Sequence, residues 1–189
     1  ASHLFRVSTE GGAVEQVPTG ERRILSLDFT PDLRRMTYLV GEFDRPPEVW
    51  VADIDGSDER RLTDVHGDFV SQVALSGAER IEYRSYDGTP VEGFLMPPFD
   101  YDPSRGPYPL IVVNHGGPHS ASGYGFNFKN QLFAAKGYFV FLPNFRSSTG
   151  YGDDFKWATW GGWGTLDGED VLAGVDHLVG TRPVDVDRI

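Results

Sequence analysis

The residues best suited to chemistry in this chain form one short turn, His115-Gly116-Gly117-Pro118-His119, directly after an apolar run. Adjacent glycines let the backbone approach a ligand closely and leave its N–H groups accessible. Pro118 has no N–H group. The candidate donors are therefore the N–H groups of Gly116, Gly117 and His119, and Gly117 is favoured because Gly116 is better placed to form the bend. Such donors suit the stabilisation of a developing oxyanion.

Two side chains near this turn have alternative interpretations. His115 could act as a general base, but a base needs a neighbouring nucleophile and an orienting group, so we expect it to hold the turn by hydrogen bonding. The planar fork of Arg146 could bind a substrate carboxylate or carbonyl, or it could anchor its own loop. We expect His119 at the rim of the site. Trp157, Trp160 and Trp163 could line a pocket, although packing over the sheet edge is the commoner outcome.

The elements around the turn predict an α/β fold. The predicted strand Leu110–Asn114 opens with four consecutive apolar residues, Leu110–Val113, a run of the kind buried in parallel sheets. The turn therefore lies at the carboxyl end of a strand, where open α/β sheets place their sites. Strand and helix then alternate, as in βαβ units. The predicted elements are a helix over 127–136, a strand over 138–142, a Gly-rich loop over 143–164, a helix carrying Val171, Val175, Leu178 and Val179, and a strand entered at 184–189.

The earlier part of the chain predicts an all-β unit. Residues 1–65 alternate in hydrophobicity with frequent turn signals, and Leu4–Val7 resembles Val49–Ala52 at a spacing of about 45 residues, which suits propeller blades. Asp87-Gly88 predicts the turn of a later hairpin. The Asp53–Asp58 turn lacks the spacing of a calcium loop. The predicted strands of the first segment are 4–7, 13–17, 24–29, 35–40 and 48–54, with a break at Arg45-Pro46-Pro47.

Composition excludes several classes of function. The net charge is −11, which argues against nucleic-acid or membrane-surface partners because these need a basic face. The chain has no cysteine, and its histidines are scattered. We therefore predict no metal and no cofactor. The chain opens without a visible signal peptide, and we predict a cytoplasmic location.

Three ordered motifs resemble the prolyl oligopeptidase family of serine peptidases, in particular its acylaminoacyl-peptidase-like branch. They are Asn114–Pro118, Phe133–Tyr138 and Pro143–Gly152, and the upstream Asp87–Thr89 hairpin resembles the opening of the same catalytic domain. Ser147 is a departure, because the family usually has glycine there. The resemblance implies an α/β-hydrolase domain, here its N-terminal half over 71–189, preceded by the end of a β-propeller over 1–70.

The resemblance also implies a peptidase that works through an acyl-enzyme, with a Ser-Asp-His triad and the serine in a G-x-S-x-G elbow. No such elbow occurs in these 189 residues. We therefore expect the triad beyond residue 189, on a companion segment or chain, and expect this chain alone to be inactive. Gly117 is the expected catalytic donor, Gly116 and Arg146 are the expected substrate-binding residues, and the partners are a peptide substrate and a possible second copy.

Two alternatives stay open at this point. An esterase or lipase of the α/β-hydrolase type could use the same turn, although a propeller favours a peptidase. A propeller-based binding protein with an inactive hydrolase domain is the alternative outside the enzymes. An intact G-x-S-x-G after Ile189 would distinguish an enzyme from that binding protein.

Overall fold

The computed structural model describes residues 2–117 and 119–189, which form two compact units. The first unit holds the residues up to 74 together with 123–127, and the second holds 75–122 and 128–189. Within the described residues, none of the helices has the length and apolar character needed to cross a membrane. The elements of the first unit are β1 (Phe5–Arg6), β2 (Glu15–Gln16), β3 (Arg23–Phe29), β4 (Arg35–Glu42), β5 (Arg45–Asp53), β6 (Arg60–Arg61) and α1 (Gly67–Gln72).

The first unit is built on an antiparallel meander in which β3, β4, β5 and β6 pair in chain order. Strand β4 shows the alternation predicted from the sequence, because Met36, Tyr38 and Val40 are buried on one face. These side chains pack with Ile24 and Ala52 from the neighbouring strands. Alternating apolar residues form this core because successive side chains of a strand point to opposite faces of the sheet.

The predicted break at Arg45-Pro46-Pro47 is wrong, because β5 begins at Arg45 and includes both prolines. The pairing explains how they are tolerated. Strand β6 pairs with β5 only at Trp50 and Val51, so β5 has β4 as its single neighbour near the prolines. The β4–β5 register also shifts between Val40 and Glu42. Proline is accepted at such edges and irregularities because no ladder donor is required there.

The second unit contains a four-stranded mixed sheet with the order β7-β8-β10-β9. Strand β10 pairs with β8 antiparallel and with β9 parallel. All six residues of β10 are buried, as expected for a central strand that is covered on both faces. The elements of this unit are β7 (Glu79–Arg84), β8 (Pro90–Met96), a 3₁₀ turn (Pro103–Arg105), β9 (Leu110–Val112), α2 (Phe128–Ala135), β10 (Phe139–Asn144), α3 (Asp153–Trp157) and α4 (Leu166–Thr181).

Most of these elements lie where the sequence predicts them. The helix predicted over 127–136 is α2, and Gly137 follows it with φ of 87°, the left-handed conformation that commonly ends a helix. Two short helices were not predicted. Helix α1 belongs to the first unit, and α3 lies inside the predicted Gly-rich loop over 143–164. Past α4 the chain runs parallel to the start of β9, with a bridge from Tyr108 to Val184.

Helix α4 packs against the sheet through a glycine. Gly174 is buried, and a Cβ built on it would lie 2.6 Å from Phe141 Cζ and 2.8 Å from Tyr83 Cζ. Phe141 itself is fully buried, so an added Cβ would have to displace a ring that is packed inside the core. The absence of a side chain at Gly174 therefore sets how closely the helix approaches the sheet.

We expect Gly174→Ala to destabilise the protein by about 1–3 kcal/mol, the usual effect of forcing an extra carbon into a packed core. Gly180→Ala on the same helix is the matched control, because a Cβ there meets no atom within 4 Å. That substitution should instead stabilise by about 0.4–1 kcal/mol through the unfolded state. Urea unfolding of the two variants measures both effects, and equal midpoints would contradict the close packing of α4.

Candidate functional site

The turn that follows β9 presents three backbone donors. Gly116 and Gly117 are exposed. Within the part of the chain that the structure describes, the N–H groups of Gly116, Gly117 and His119 donate to no protein acceptor. Pro118, which the sequence excludes as a donor, lies outside the described residues. The turn therefore offers unpaired donors at the carboxyl end of a sheet strand, where an anionic oxygen could bind.

The two glycines of the turn differ in what they tolerate. Gly117 has φ of 142°, a conformation that residues with a side chain rarely adopt. A Cβ built on it would lie 3.1 Å from the backbone N of His119. A Cβ built on Gly116 would meet no atom within 4 Å. The turn thus requires glycine at 117 and has room for a side chain at 116.

His115 is held between the turn and the loop that follows β10, residues 145–149, which we call the β10 loop. Its Nε2 lies 2.8 Å from Ser148 Oγ, and its ring stacks on Phe145 with a centroid distance of 4.5 Å and an interplanar angle of 11°. Burial lowers the pKa of His115, and the carbonyl of Gly116 opposes this effect only in part. The ring is therefore neutral at neutral pH, and its contacts are those of an anchor.

Ser148 and His115 do not form a nucleophile–base pair, despite their short distance. Ser148 is fully buried, so no substrate carbonyl can reach its oxygen. Its hydroxyl also donates to the carbonyl of Phe145 at 2.6 Å. With that proton engaged, His115 Nε2–H must donate to Ser148 Oγ, which is the opposite of the direction that base catalysis needs.

Further contacts join the β10 loop and the end of β10 to the residues after the turn. His119 Nδ1 lies 3.2 Å from the carbonyl of Ser147, and Thr149 N donates to Ser120 O at 2.8 Å. The side chain of Asn144 accepts from Ser122 N at 2.7 Å and donates to Ser122 O at 3.0 Å. The chain on both sides of residue 118 is thus tied to the carboxyl end of β10.

Ser147 shows why glycine is usual at its position. It is buried and has φ of 92°, a left-handed conformation that costs a residue with a Cβ about 1–2 kcal/mol. The loop keeps this shape with serine, and the hydroxyl is hydrogen-bonded to Thr159 Oγ1.

Arg146 lies in a buried network of charged and polar groups. Its side chain is 6% exposed, and Asp170, on α4, is fully buried. Arg146 Nε donates to both carboxylate oxygens of Asp170, Nη2 donates to Oδ1 at 2.6 Å, and the backbone N donates to Oδ2 at 2.7 Å. Hydrogen bonding to Asp170 is the main cause that raises the pKa of Arg146 further above its usual range.

The other side of the Arg146 fork faces the β7–β8 hairpin. Nη1 donates to Asp87 Oδ2 at 2.6 Å, and Nη2 lies 3.2 Å from Ser85 Oγ. Hydrogen bonds from Thr89 and then from Arg146 lower the pKa of Asp87 to about 2. All three guanidinium nitrogens therefore have partners within the chain. This geometry favours the loop-anchoring interpretation of Arg146 over the substrate-binding one.

A cavity of about 290 Å³ lies beside the turn. Asn114, which precedes His115, and Phe145 border it, and the remaining wall is formed by Gly164 and the first half of α4, including Val171 and Leu172. The tryptophans lie elsewhere in the unit and are not packed away, since Trp157, Trp160 and Trp163 are 44%, 76% and 64% exposed. Trp157 contacts the His119 ring at a centroid distance of 4.5 Å.

The sequence did not identify the partners of Arg146. Near the start of a predicted helix, the sequence offers Asp170 only a favourable interaction with the helix dipole, whereas in the structure its carboxylate binds Arg146. The available signal was an acidic residue on the buried face of α4, one position before Val171. Among the described residues, no group of three or more His, Cys, Asp or Glu side chains is arranged to hold a metal ion.

Comparison with known proteins finds the same family that the sequence motifs resemble. Residues 124–189 match the model of the prolyl oligopeptidase family. An uncharacterised peptidase of Bacillus subtilis, YuxL, is 35% identical over 95% of this chain and 27% of its own length. The acylamino-acid-releasing enzyme of Sus scrofa is 31% identical over 98% of this chain and 26% of its own length.

A solved structure shows the same arrangement of elements. The acylaminoacyl peptidase of Pyrococcus horikoshii superposes with a TM-score of 0.80 at 30% identity, over 92% of this chain and 27% of that one. The chain thus spans about a quarter of the length of the relatives it matches. Sequence and structure together confirm the resemblance of this chain to the prolyl oligopeptidase family.

Proposed function

We propose that the protein carrying this chain is a serine-type peptidase that hydrolyses short peptides through an acyl-enzyme, in the manner of an acylaminoacyl peptidase. In this proposal the present chain supplies the oxyanion-hole turn, and the Ser-Asp-His triad lies beyond residue 189. The observation that carries the proposal is the set of unpaired N–H groups at Gly116, Gly117 and His119, in a chain that resembles the prolyl oligopeptidase family.

The two units take corresponding roles in the proposal. Residues 1–70 are the end of a β-propeller, and the four-stranded antiparallel meander of β3–β6 has the form of one blade. Residues 71–189 are the N-terminal half of an α/β-hydrolase domain. The propeller would restrict access to the site, so that only short peptides reach it. A simple esterase has no such unit, which favours a peptidase.

The chemistry assigned to the turn is electrostatic. When the serine oxygen adds to the substrate carbonyl, the carbonyl oxygen becomes negatively charged. The Gly117 N–H would donate to that oxygen, together with the N–H of the residue after the serine. Because the Gly117 donor has no competing acceptor among the described residues, it is available for the transition state.

A fluorophosphonate probe tests this proposal. Applied to the full-length protein, it should label a single serine outside residues 1–189 and abolish hydrolysis of a blocked peptide substrate. The candidate serines of this chain, Ser120, Ser122, Ser147 and Ser148, should remain unlabelled. A label on any of these four serines would overturn the proposal that the nucleophile lies beyond residue 189.

The same experiment separates the alternatives. Labelling with hydrolysis of an alkyl ester but no cleavage of the peptide would indicate an esterase. Absence of any label would indicate a binding protein with an inactive hydrolase domain. Residues 1–189 expressed alone should neither hydrolyse the peptide nor react with the probe.

A further inference from the structure

The β10 loop lies between two features that are far apart in sequence. On one side it is bound to the buried carboxylate of Asp170, and on the other it contacts the turn through His115, His119 and Ser120. In the described part of the turn, the backbone N–H groups of residues 116, 117 and 119 form no hydrogen bond within the protein. The shape of the turn therefore depends on its contacts with the β10 loop.

We propose that Asp170 and Arg146 are positioning residues for the oxyanion-hole turn, acting through the β10 loop. This inference rests on the proposed function, since it assigns a role to groups that support the same site. Neither residue contacts the turn directly in the contacts described above, so neither is a catalytic residue.

The first step is the fixation of the loop by Asp170. The carboxylate receives the backbone N–H of Arg146 and a bidentate pair of bonds from its guanidinium. Bidentate charge-assisted bonds fix orientation as well as distance. The bond from Arg146 N holds the main chain of the loop against Asp170. The two guanidinium bonds prevent the loop from rotating about that single bond.

The second step leads from the loop to His115. The carbonyl of Phe145, the residue before Arg146, accepts the Ser148 hydroxyl, and the same oxygen of Ser148 accepts from His115 Nε2. A displacement of Arg146 would move this carbonyl and release the Ser148 hydroxyl. His115 would then lose both its hydrogen-bond partner and the Phe145 ring on which it stacks.

The third step leads from His115 to the donor. His115 directly precedes Gly116 in the chain, and its Nδ1, which carries no proton when Nε2–H donates to Ser148, lies 3.3 Å from the carbonyl of Gly116 without a hydrogen bond to it. That carbonyl belongs to the same peptide group as the Gly117 N–H. Because a peptide group is planar, the orientation of the Gly116 carbonyl fixes the direction of the Gly117 N–H. Loss of the His115 position therefore allows the donor to turn away from the substrate oxygen.

The burial of an ion pair between Arg146 and Asp170 supports a positioning role for these two residues. A buried ion pair is often no more stabilising than apolar residues of similar size, because both charges must be removed from water. The ion pair between Arg146 and Asp170 does, however, hold the β10 loop in one geometry. Apolar packing would restrict the loop less strictly, because it has no directed bonds. Displacements of about 1 Å at a catalytic group can lower rates by about 100-fold.

The test uses the full-length enzyme and measures kcat and KM for one peptide substrate. We expect Asp170→Asn to lower kcat by about 10- to 100-fold with KM nearly unchanged, because the oxyanion donor acts in the transition state. Ser148→Ala, which breaks the link at its other end, should lower kcat in the same way. The double variant should be no slower than the slower single variant, since both changes interrupt one path.

Gln131→Ala is the control for lost stability alone. Gln131 is buried in the same unit, on α2, and its amide pairs with the backbone of Ser76 through two bonds of 2.8 Å. This variant should lower the melting temperature and leave kcat unchanged. Hydrogen exchange of the peptides covering 113–122 should accelerate in Asp170→Asn and Ser148→Ala but not in Gln131→Ala.

The outcomes separate the two proposals. If the wild-type enzyme does not cleave peptides, the proposed function fails. If it does, and Ser148→Ala and Asp170→Asn change kcat no more than Gln131→Ala, the positioning role is wrong. Should Asp170→Asn not fold, Ser148→Ala decides alone, since it removes only one hydroxyl and leaves the ion pair intact.

Discussion

Replacing Gly117 by proline should lower kcat for peptide hydrolysis by about 100- to 1,000-fold, with a much smaller change in KM. Proline removes the N–H that we assign to the oxyanion hole, and it cannot adopt the φ of 142° that the turn has at this position. The loss of one such donor alone raises the barrier by about 2.7–4 kcal/mol. The effect appears in kcat because the donor interacts with charge that develops only in the transition state. Steady-state kinetics of the full-length enzyme provide the measurement.

Two alanine variants act as controls for the shape of the turn. Gly116→Ala should be nearly as active as the wild type, because a Cβ at this position meets no atom within 4 Å. Gly117→Ala keeps the N–H but places a Cβ 3.1 Å from His119 N at φ of 142°. Its activity should therefore lie between those of Gly116→Ala and Gly117→Pro.

A structure of the full-length enzyme in complex with a boronate inhibitor tests the role of the Gly117 N–H directly. The inhibitor oxygen that mimics the oxyanion should lie about 2.7–3.1 Å from Gly117 N. If that oxygen is held by a side chain such as Tyr124 or Arg146, with Gly117 N more than about 4 Å away, the assignment of the donor is wrong. Arg146 would have to release Asp170 and Asp87 to do so.

The elements that carry the site could be predicted because their signals are local. The apolar runs of β9 and β10 and the glycine after α2 specify strand, strand and helix end within a few residues. The prolines of β5 misled the prediction for the same reason. A local rule treats proline as a break, whereas the observed strand depends on the extent of its neighbour β6.

The partners of Arg146 could not be predicted because they depend on packing between distant parts of the chain. Asp170 is 24 positions away and Asp87 is 59 positions away. The sequence showed that Arg146 could anchor a loop or bind substrate, and nothing local distinguishes these uses of a guanidinium. Only the approach of α4 and the β7–β8 hairpin to the β10 loop brings the two carboxylates within reach.

The buried ion pair gives the second large effect that we expect, on stability rather than on rate. Asp170→Ala should lower the free energy of unfolding by about 3–5 kcal/mol, because it leaves the Arg146 guanidinium buried without its main counter-charge. The remaining partner, Asp87, has a side chain that is 44% exposed and can compensate only in part. Urea unfolding measures the loss. Asp176→Ala, the same substitution at an exposed position of α4, should leave the midpoint near that of the wild type.

Replacing both partners distinguishes the need for charge from the need for a filled core. The variant Arg146→Met with Asp170→Leu should be more stable than Asp170→Ala, because no unpaired charge remains buried and apolar side chains occupy the space. Its kcat should nevertheless stay low, since methionine cannot hold the β10 loop by directed bonds. Recovery of stability together with full kcat would show that the loop needs only packing, and that the ion pair has no role in positioning the turn.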